Sequence, residues 1–394
     1  MRGPWNTTRA GLVGLVLVAN GTQAQAALWS FAPVFGLWVD HDSNRYLEPE
    51  GTPSYGTAVT LDMPVQYATE RLTLNLHPQV WLERFSNHVF ANANDLVLSA
   101  LANWTATERS TISLNGLFSD QNLLTTELAN TGAVVPGTRR RDSQGVLAWT
   151  YAQTERLSLS LQASYEHAVY SSDSAEPSTV PLQSYRYTSY SASEQLQYSD
   201  RLAGYVTLSG SEFLQEAISA PAHTYGAVVG CKLQISERSN LSADVGGSRT
   251  KLESLVSNGL LYDLTFSRAT STGTFSVSAS RNVSPAGLGE LTDQEALKVG
   301  LQRNLKERLS LDAGVSANRY SGVFTVPGFI ADIRGLDRTY AQATAGLAYR
   351  TTETFSVVLR GFYNWQNSKT VGRADGWAVR IESVWTPHPL NVSR

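Results

Sequence analysis

Six histidines (His41, His77, His88, His167, His223 and His388) lie scattered along 394 residues. No HExxH, GxSxG or paired-cysteine spacing accompanies them, so zinc hydrolysis and nucleophile-elbow chemistry have no local motif to use. A Ser/His pair assembled across strands would leave no such spacing, and only a structure can expose it. Asp40, Asp42 and Asn44 begin like a calcium loop but lack its glycine and terminal glutamate. The densest charge is Arg139-Arg140-Arg141-Asp142, closing a long polar stretch from Asp120 that also holds Glu127. Guanidinium groups at a constriction select anions; at a membrane edge they contact anionic lipopolysaccharide or loop carboxylates instead. The single cysteine, Cys231, forms no internal disulfide and reads as a small apolar residue. No cofactor or metal set is expected.

The elements that position these residues are strands. From Leu157 the apolar side carries Leu157, Leu159, Leu161, Ala163 and Tyr165, against Ser158, Ser160, Gln162, Ser164 and Glu166. From Leu309 the split is Leu309, Leu311, Ala313, Val315 and Ala317 against Ser310, Asp312, Gly314, Ser316 and Asn318. Period-two runs this long exceed the roughly 5–6 residues of soluble strands and suit the roughly 9–11 of a tilted membrane strand. The chain is 42% hydrophobic and 16% charged, with 17 Tyr, 9 Trp and 12 Phe; its net charge of −3 implies no attraction to nucleic acid.

One phrase recurs. YATERLTLNL at Tyr67–Leu76 returns as WTATERSTISL at Trp104–Leu114 and YAQTERLSLSL at Tyr151–Leu161, with looser copies from Tyr198, Leu233, Leu301 and Tyr349. Each copy reads as a short hairpin turn led by an aromatic residue. Short turns near 68–71, 105–108, 152–155, 199–201, 236–238, 269–272, 305–307 and 351–353 alternate with longer polar loops. That asymmetry marks outer-membrane barrels, with short periplasmic turns and longer extracellular loops. In lipid every backbone polar group needs an internal partner, so strands must close. The expected fold is all-β: one transmembrane antiparallel up-and-down β-barrel of about 18 strands (roughly 16–18).

Residues 1–26 read as a secretory signal, with Arg2 and Arg9, an apolar run AGLVGLVLVA and Ala24-Gln25-Ala26 at the cleavage site. Residues 27–386 are then the barrel and 387–394 a periplasmic C-terminal tail, in the bacterial outer membrane with both termini periplasmic. A barrel this wide is not filled by its side chains, so a channel or plugged lumen is expected. The stretch from Asp120 to Arg141 is the third long loop, and by analogy with porins it folds inward, with Glu127, Arg139, Arg140, Arg141 and Asp142 at the constriction. Lumen parity also falls on Trp38, Trp81, Tyr170, Tyr320 and Phe362, rings able to stack on sugars or to pack beneath loops.

The repeated (Y/W)xxTERLSLSL turn, the Asp40-Asp42-Asn44 end of the first strand, FSDQNLLTTELANTG at Phe118–Gly132 and RRRDS at Arg139–Ser143 resemble the β-barrel porins encoded with exopolysaccharide secretion systems. The resemblance implies a conduit for exopolysaccharide across the outer membrane, acting with a periplasmic polysaccharide-export protein and carrying no catalytic residues. The alternative to that conduit is a general or solute-selective diffusion porin. Partners on these readings are outer-membrane lipid and lipopolysaccharide, a polysaccharide or small solutes in the lumen, and no nucleic acid.

Overall fold

The computed structural model describes residues 27–86, 92–122, 138–172, 182–216, 220–287, 290–323, 337–368 and 372–393. The chain forms an antiparallel closed barrel of 18 strands. Its strand segments are β1 (Leu28–Phe31), β2 (Val34–Asp42), β3 (Ser54–Asp62), β4 (Val65–Ala68), β5 (Leu72–Phe85), β6 (Ala93–Thr107) and β7 (Ser110–Asn122). They continue with β8 (Thr138–Ala152), β9 (Leu157–Ser172), β10 (Tyr185–Ser199), β11 (Leu202–Gln215), β12 (Ala222–Ser236), β13 (Ser239–Leu252) and β14 (Leu255–Ala269). The last are β15 (Gly273–Ala286), β16 (Glu290–Lys306), β17 (Leu309–Gly322), β18 (Arg338–Arg350), β19 (Phe355–Ser368), β20 (Gly372–Trp385) and β21 (Leu390–Ser393). The candidate signal, residues 1–26, lies outside the described residues.

Prolines explain why segments outnumber strands. Proline cannot donate to the ladder. Pro33 separates β1 from β2, Pro64 separates β3 from β4, and Pro387 and Pro389 lie between β20 and β21. Each pair is one interrupted strand. The barrel closes where β2 pairs β20, from Phe35↔Trp385 to Asp42↔Ala378. Beyond that seam β21 pairs β1, Leu28↔Ser393 to Phe31↔Leu390. Within the segment 387–394 expected as a C-terminal tail, Leu390–Ser393 supplies a partner for the backbone donors of β1.

Alternation decides which face each side chain takes. Leu37 is 55% exposed and Leu208 59% on the outer wall. In a bilayer those faces meet acyl chains, which is why a closed barrel tolerates them. Aromatics ring the short-turn end: Trp104, Tyr198, Tyr349 and Trp385 are all exposed there. Phe35 stacks on Trp385 at 5.2 Å and Trp149 on Tyr151 at 5.7 Å. These are the interfacial girdle positions of such barrels.

The recurring turn has a hydrogen-bond explanation. In YAQTERLSLSL the Thr154 hydroxyl accepts from the N–H of Arg156 at 3.2 Å and of Leu157 at 3.0 Å. Thr69, Thr107, Ser199, Ser236, Thr270 and Thr352 accept in the same way from the residue two positions on. Such side chain–backbone turns are what Ser and Thr supply. The arginine position has a separate role through its backbone. The Arg71 carbonyl accepts from Thr105 N, Arg109 from Ala152, Arg156 from Gln197, Arg201 from Gln234 and Arg238 from Ala269, at 2.7–2.8 Å. Thr272, Arg308 and Thr354 continue the series to Thr386. Each turn is thereby stitched to the next hairpin, and the repeat forms a collar around the short-turn rim.

One connection is tighter than its composition suggests. The polar stretch 252–257 reads as a long loop, yet Leu252 pairs Leu255 and Glu253 takes φ 51. Two residues suffice to reverse the chain when the first adopts the left-handed region.

Candidate functional site in the lumen

The first long connection, 43–53, folds inward against the wall. Its course is fixed by Asn44. The Asn44 amide donates to the carbonyls of Glu48 at 2.8 Å and Asp375 at 3.0 Å, and its Oδ1 accepts from Glu48 N at 3.0 Å. Asp42 Oδ1 accepts from Asn44 N at 2.9 Å. Asp42 and Asn44, two of the three residues that resembled half a calcium loop, thus cap the turn. Gly376 permits this approach, since a Cβ there would stand 3.0 Å from the Asn44 carbonyl oxygen.

Leu47 is the anchor. It is fully buried, with φ 50, among Tyr320, Tyr340 and Ala374, and its carbonyl accepts from the Gln366 amide. A non-glycine residue in the left-handed region costs of order 1–3 kcal/mol, offset here by burying the leucine side chain.

Below this loop lies a row of charge. Arg45 Nη2 donates to Asp40 Oδ1 at 2.8 Å, and Arg380 Nη2 donates to Asp40 Oδ2 at 3.1 Å. The Asp40 side chain is only 3% exposed. Arg45 lies 4.6 Å over Phe85, and Arg380 lies 3.9 Å over Trp38 and 5.6 Å over Phe362. Gly56 leaves room for the pair: a Cβ there would sit 2.5 Å from Asp40 Oδ1. Arg360 is the cross-strand partner of Arg380 and shares its lumen face.

Strand parity divides the arginine triplet. Arg139, Arg140 and Arg141 lie on β8, paired with Asn122, Gln121 and Asp120, and not in the loop where they were expected. Arg139 and Arg141 take the outward parity and share Asp120, at 2.8 and 3.0 Å. Arg140 points inward, where its Nη2 reaches Glu166 at 3.0 Å, Tyr185 Oη at 3.1 Å and Asp142 at 3.2 Å. Tyr185 donates to Glu166 at 2.6 Å. Arg140 and Asp142 are therefore a buried wall network and three adjacent arginines do not form one patch, because successive strand residues face opposite sides. Glu127 lies outside the described residues.

The aromatic candidates all take lumen parity but differ in access. Trp38 is 3% exposed and Tyr320 1%. Trp81, opposite Thr60 and Asp95, is half-buried, as are Tyr170 and Phe362. Tyr170 packs beside a cluster of Ala168, Tyr185, Phe213, Ala222 and Leu291. Gly287, just past β15, lies on that side: its carbonyl accepts from Gln183 N at 2.8 Å, and a Cβ on it would meet the Tyr170 hydroxyl at 2.5 Å. Gly287 and the first loop both lie inward at the long-loop end.

Register brings Ser99, His77 and Asp62 onto three neighbouring strands, with His77 and Ser99 as Cα partners. They do not form a catalytic relay. His77 meets Asp62 and Gln79 through the same ring nitrogen, Nε2, and Ser99 makes no hydrogen bond to it. Among the described residues no group of three His, Cys, Asp or Glu side chains is placed to hold a metal ion.

Sequence reading missed Leu47, Arg45 and the saturation of Asp40. Only the asparagine and aspartates flanking the loop gave a signal, and it pointed to calcium.

No family model matches the chain, and no curated protein matches it. Solved structures similar to it are barrels. OccK7 (OpdD) of Pseudomonas aeruginosa aligns at 12% identity over 92% of this chain and 99% of that chain, with a TM-score of 0.47. OccAB4 of Acinetobacter baumannii aligns at 13% identity over 94% and 99%, with a TM-score of 0.45. The siderophore receptor PirA of Pseudomonas aeruginosa aligns at 10% identity over 90% and 80%, with a TM-score of 0.41. At these identities the likeness concerns the barrel fold alone.

Proposed function

We propose that the barrel is a passive outer-membrane channel for small polar solutes. The observation that supports this most is the lumen wall. An 18-strand circumference is too wide for side chains to fill, and its inner face is polar along strand after strand. The lumen side carries Asp244 opposite Asp263, Lys232 bonded to Gln195, and Asn364 accepting from Tyr340 and Gln342. Such a surface wets a pore without committing it to one sign of charge.

Export of exopolysaccharide with a periplasmic export protein is the narrower function that the resemblance implies. Diffusion of small solutes is preferred because a sliding polymer needs ring faces open to water at successive heights. Trp38 lies under Arg380 and Tyr320 under Leu47, which removes two of the five candidate rings from such a track.

Reconstitution of the purified barrel into planar bilayers tests the channel. Stepwise ionic conductance and swelling of sugar-loaded liposomes are expected; their absence overturns it. Gene deletion separates the two readings. Impaired small-solute uptake with surface polysaccharide intact supports the channel, and the opposite pattern supports export.

A further inference from the structure

We propose that Arg249 and Lys251 on β13 form a docking site for the phosphorylated headgroup of a membrane lipid on the outer wall. The inference is independent of what crosses the lumen.

Both side chains are exposed and point away from the lumen. Ser248 and Thr250 are buried on the inner face, and Val245 below the two cations is 51% exposed on the outer face. Residues two apart on a strand share a face at a spacing of about 6.5–7 Å, so both cationic heads can close on one phosphate. They stand at the long-loop end of β13, above the apolar wall that meets acyl chains. Long cationic side chains at that level lay their stems along the wall and hold their charge among the headgroups.

The wall around them supplies no counter-ion. Among the described residues no ion pair, hydrogen bond or ring contact engages Arg249 or Lys251. Arg249 faces Tyr225 and Asn258 across the ladder, and Lys251 faces His223 and Val256. The nearest outward glutamate in that row, Glu212, lies opposite His223 and 3.7 Å from its ring. Glu253, in the tight turn after β13, pairs with neither cation.

Other outward cations at this end differ. Arg139 and Arg141 share Asp120, and Arg281 holds Asp293 at 2.6 Å. Arg319 has Glu295 as its cross-strand neighbour, and Arg186 stands singly on β10 between His167 and Leu214. Arg249 and Lys251 are two cations on one strand with no carboxylate opposite either.

Beneath them the wall dips. Gly247 is exposed on the outer face, in register with Ala227 on one side and Leu260 on the other. A Cβ on Gly247 would meet only the Gly259 carbonyl oxygen, at 3.6 Å, so packing does not demand the glycine. Ala227 and Gly247 side by side leave a shallow apolar strip bordered by Leu260, where a chain can lie below its phosphate. A free phosphate would use the cations alone. In outer-membrane barrels the long loops lie on the outside, which makes the lipid one of the outer leaflet.

Native mass spectrometry of the whole barrel in detergent, with bisphosphorylated lipid A and its phosphate-free form, tests the site. Lipid A should bind and the phosphate-free form should bind far more weakly. Arg249→Gln and Lys251→Gln should each weaken lipid A about fivefold, the worth of one charge beside an anionic lipid. The double variant should lose more, with strand content by circular dichroism unchanged. Arg268→Gln, outward at the short-turn end, should match the unaltered protein. Sodium phosphate should displace lipid A no better than sodium chloride of equal ionic strength. Equal binding of the phosphate-free lipid, full binding by the double variant, or an equal loss in R268Q overturns the site. Displacement specific to phosphate makes it a free-phosphate site and overturns the lipid.

Discussion

Arg45 and Asp40 lie 2.8 Å apart, and that contact ties the first inward loop to the barrel wall. The same carboxylate holds Arg380 from the other side, so one residue of β2 joins the loop to β20 across the closure seam. Breaking a buried ion pair by removing one partner is costly because the other charge remains. Asp40→Asn should therefore loosen the loop and lower the unfolding free energy by about 3–5 kcal/mol. Thermal unfolding in detergent and open-channel current noise measure the two effects. A stable, quiet channel in D40N would contradict the role assigned to this contact.

Leu47 anchors the far end of the same loop among Tyr320, Tyr340 and Ala374. Leu47→Ala should cost about 2–5 kcal/mol of local anchoring, the usual range for such a truncation. The loop then leaves the wall more often. Larger, more variable conductance steps are expected, with the strand content by circular dichroism unchanged.

The triplet on β8 gives a clean test of strand parity. Arg141→Ser, outside the barrel, should leave ion selectivity unaltered. Arg140→Ser removes the positive charge from between Glu166 and Asp142, which keep Tyr185 and Gln144 as donors, and should destabilise the fold by about 3–5 kcal/mol. Reversal potentials in a salt gradient and melting temperatures separate the two. Altered selectivity in R141S would place that side chain in the pore.

The turns can be probed without touching the lumen. Thr154→Ala removes an acceptor from the N–H groups of Arg156 and Leu157 in an exposed turn. A loss of about 0.5–1.5 kcal/mol is expected, with conductance unaffected. Urea titration of the folded barrel in detergent reads it. Thr154→Ser should restore most of the loss.

Much of this architecture was legible beforehand, for a physical reason. A barrel wall is a local object: each residue's face follows from its parity, and each short turn follows from a Ser or Thr and the residues after it. Leu157–Leu161 and the TER repeats therefore gave the strands, the turn positions and the strand number without any long-range information. The proline breaks at Pro33 and Pro64 also lie in the chain, but what they lead to does not. That Leu390–Ser393 would cover β1 depends on two chain ends meeting at the seam.

The site was less legible because it depends on contacts between distant positions. The arginine triplet looked like one patch, and parity alone would have split it once β8 was known to begin at Thr138. Nothing near Leu47 or Arg45 announced a loop that turns inward. Its course is set by Asn44 reaching Asp375, by Gln366 reaching Leu47, and by Asp40 saturating two arginines. By itself the sequence determined the strands, their faces and the polar lumen, since period-two alternation fixes side-chain direction. Tertiary structure alone decided which guanidinium meets which carboxylate, because neutralisation depends on which side chains the closed wall brings within a few ångströms.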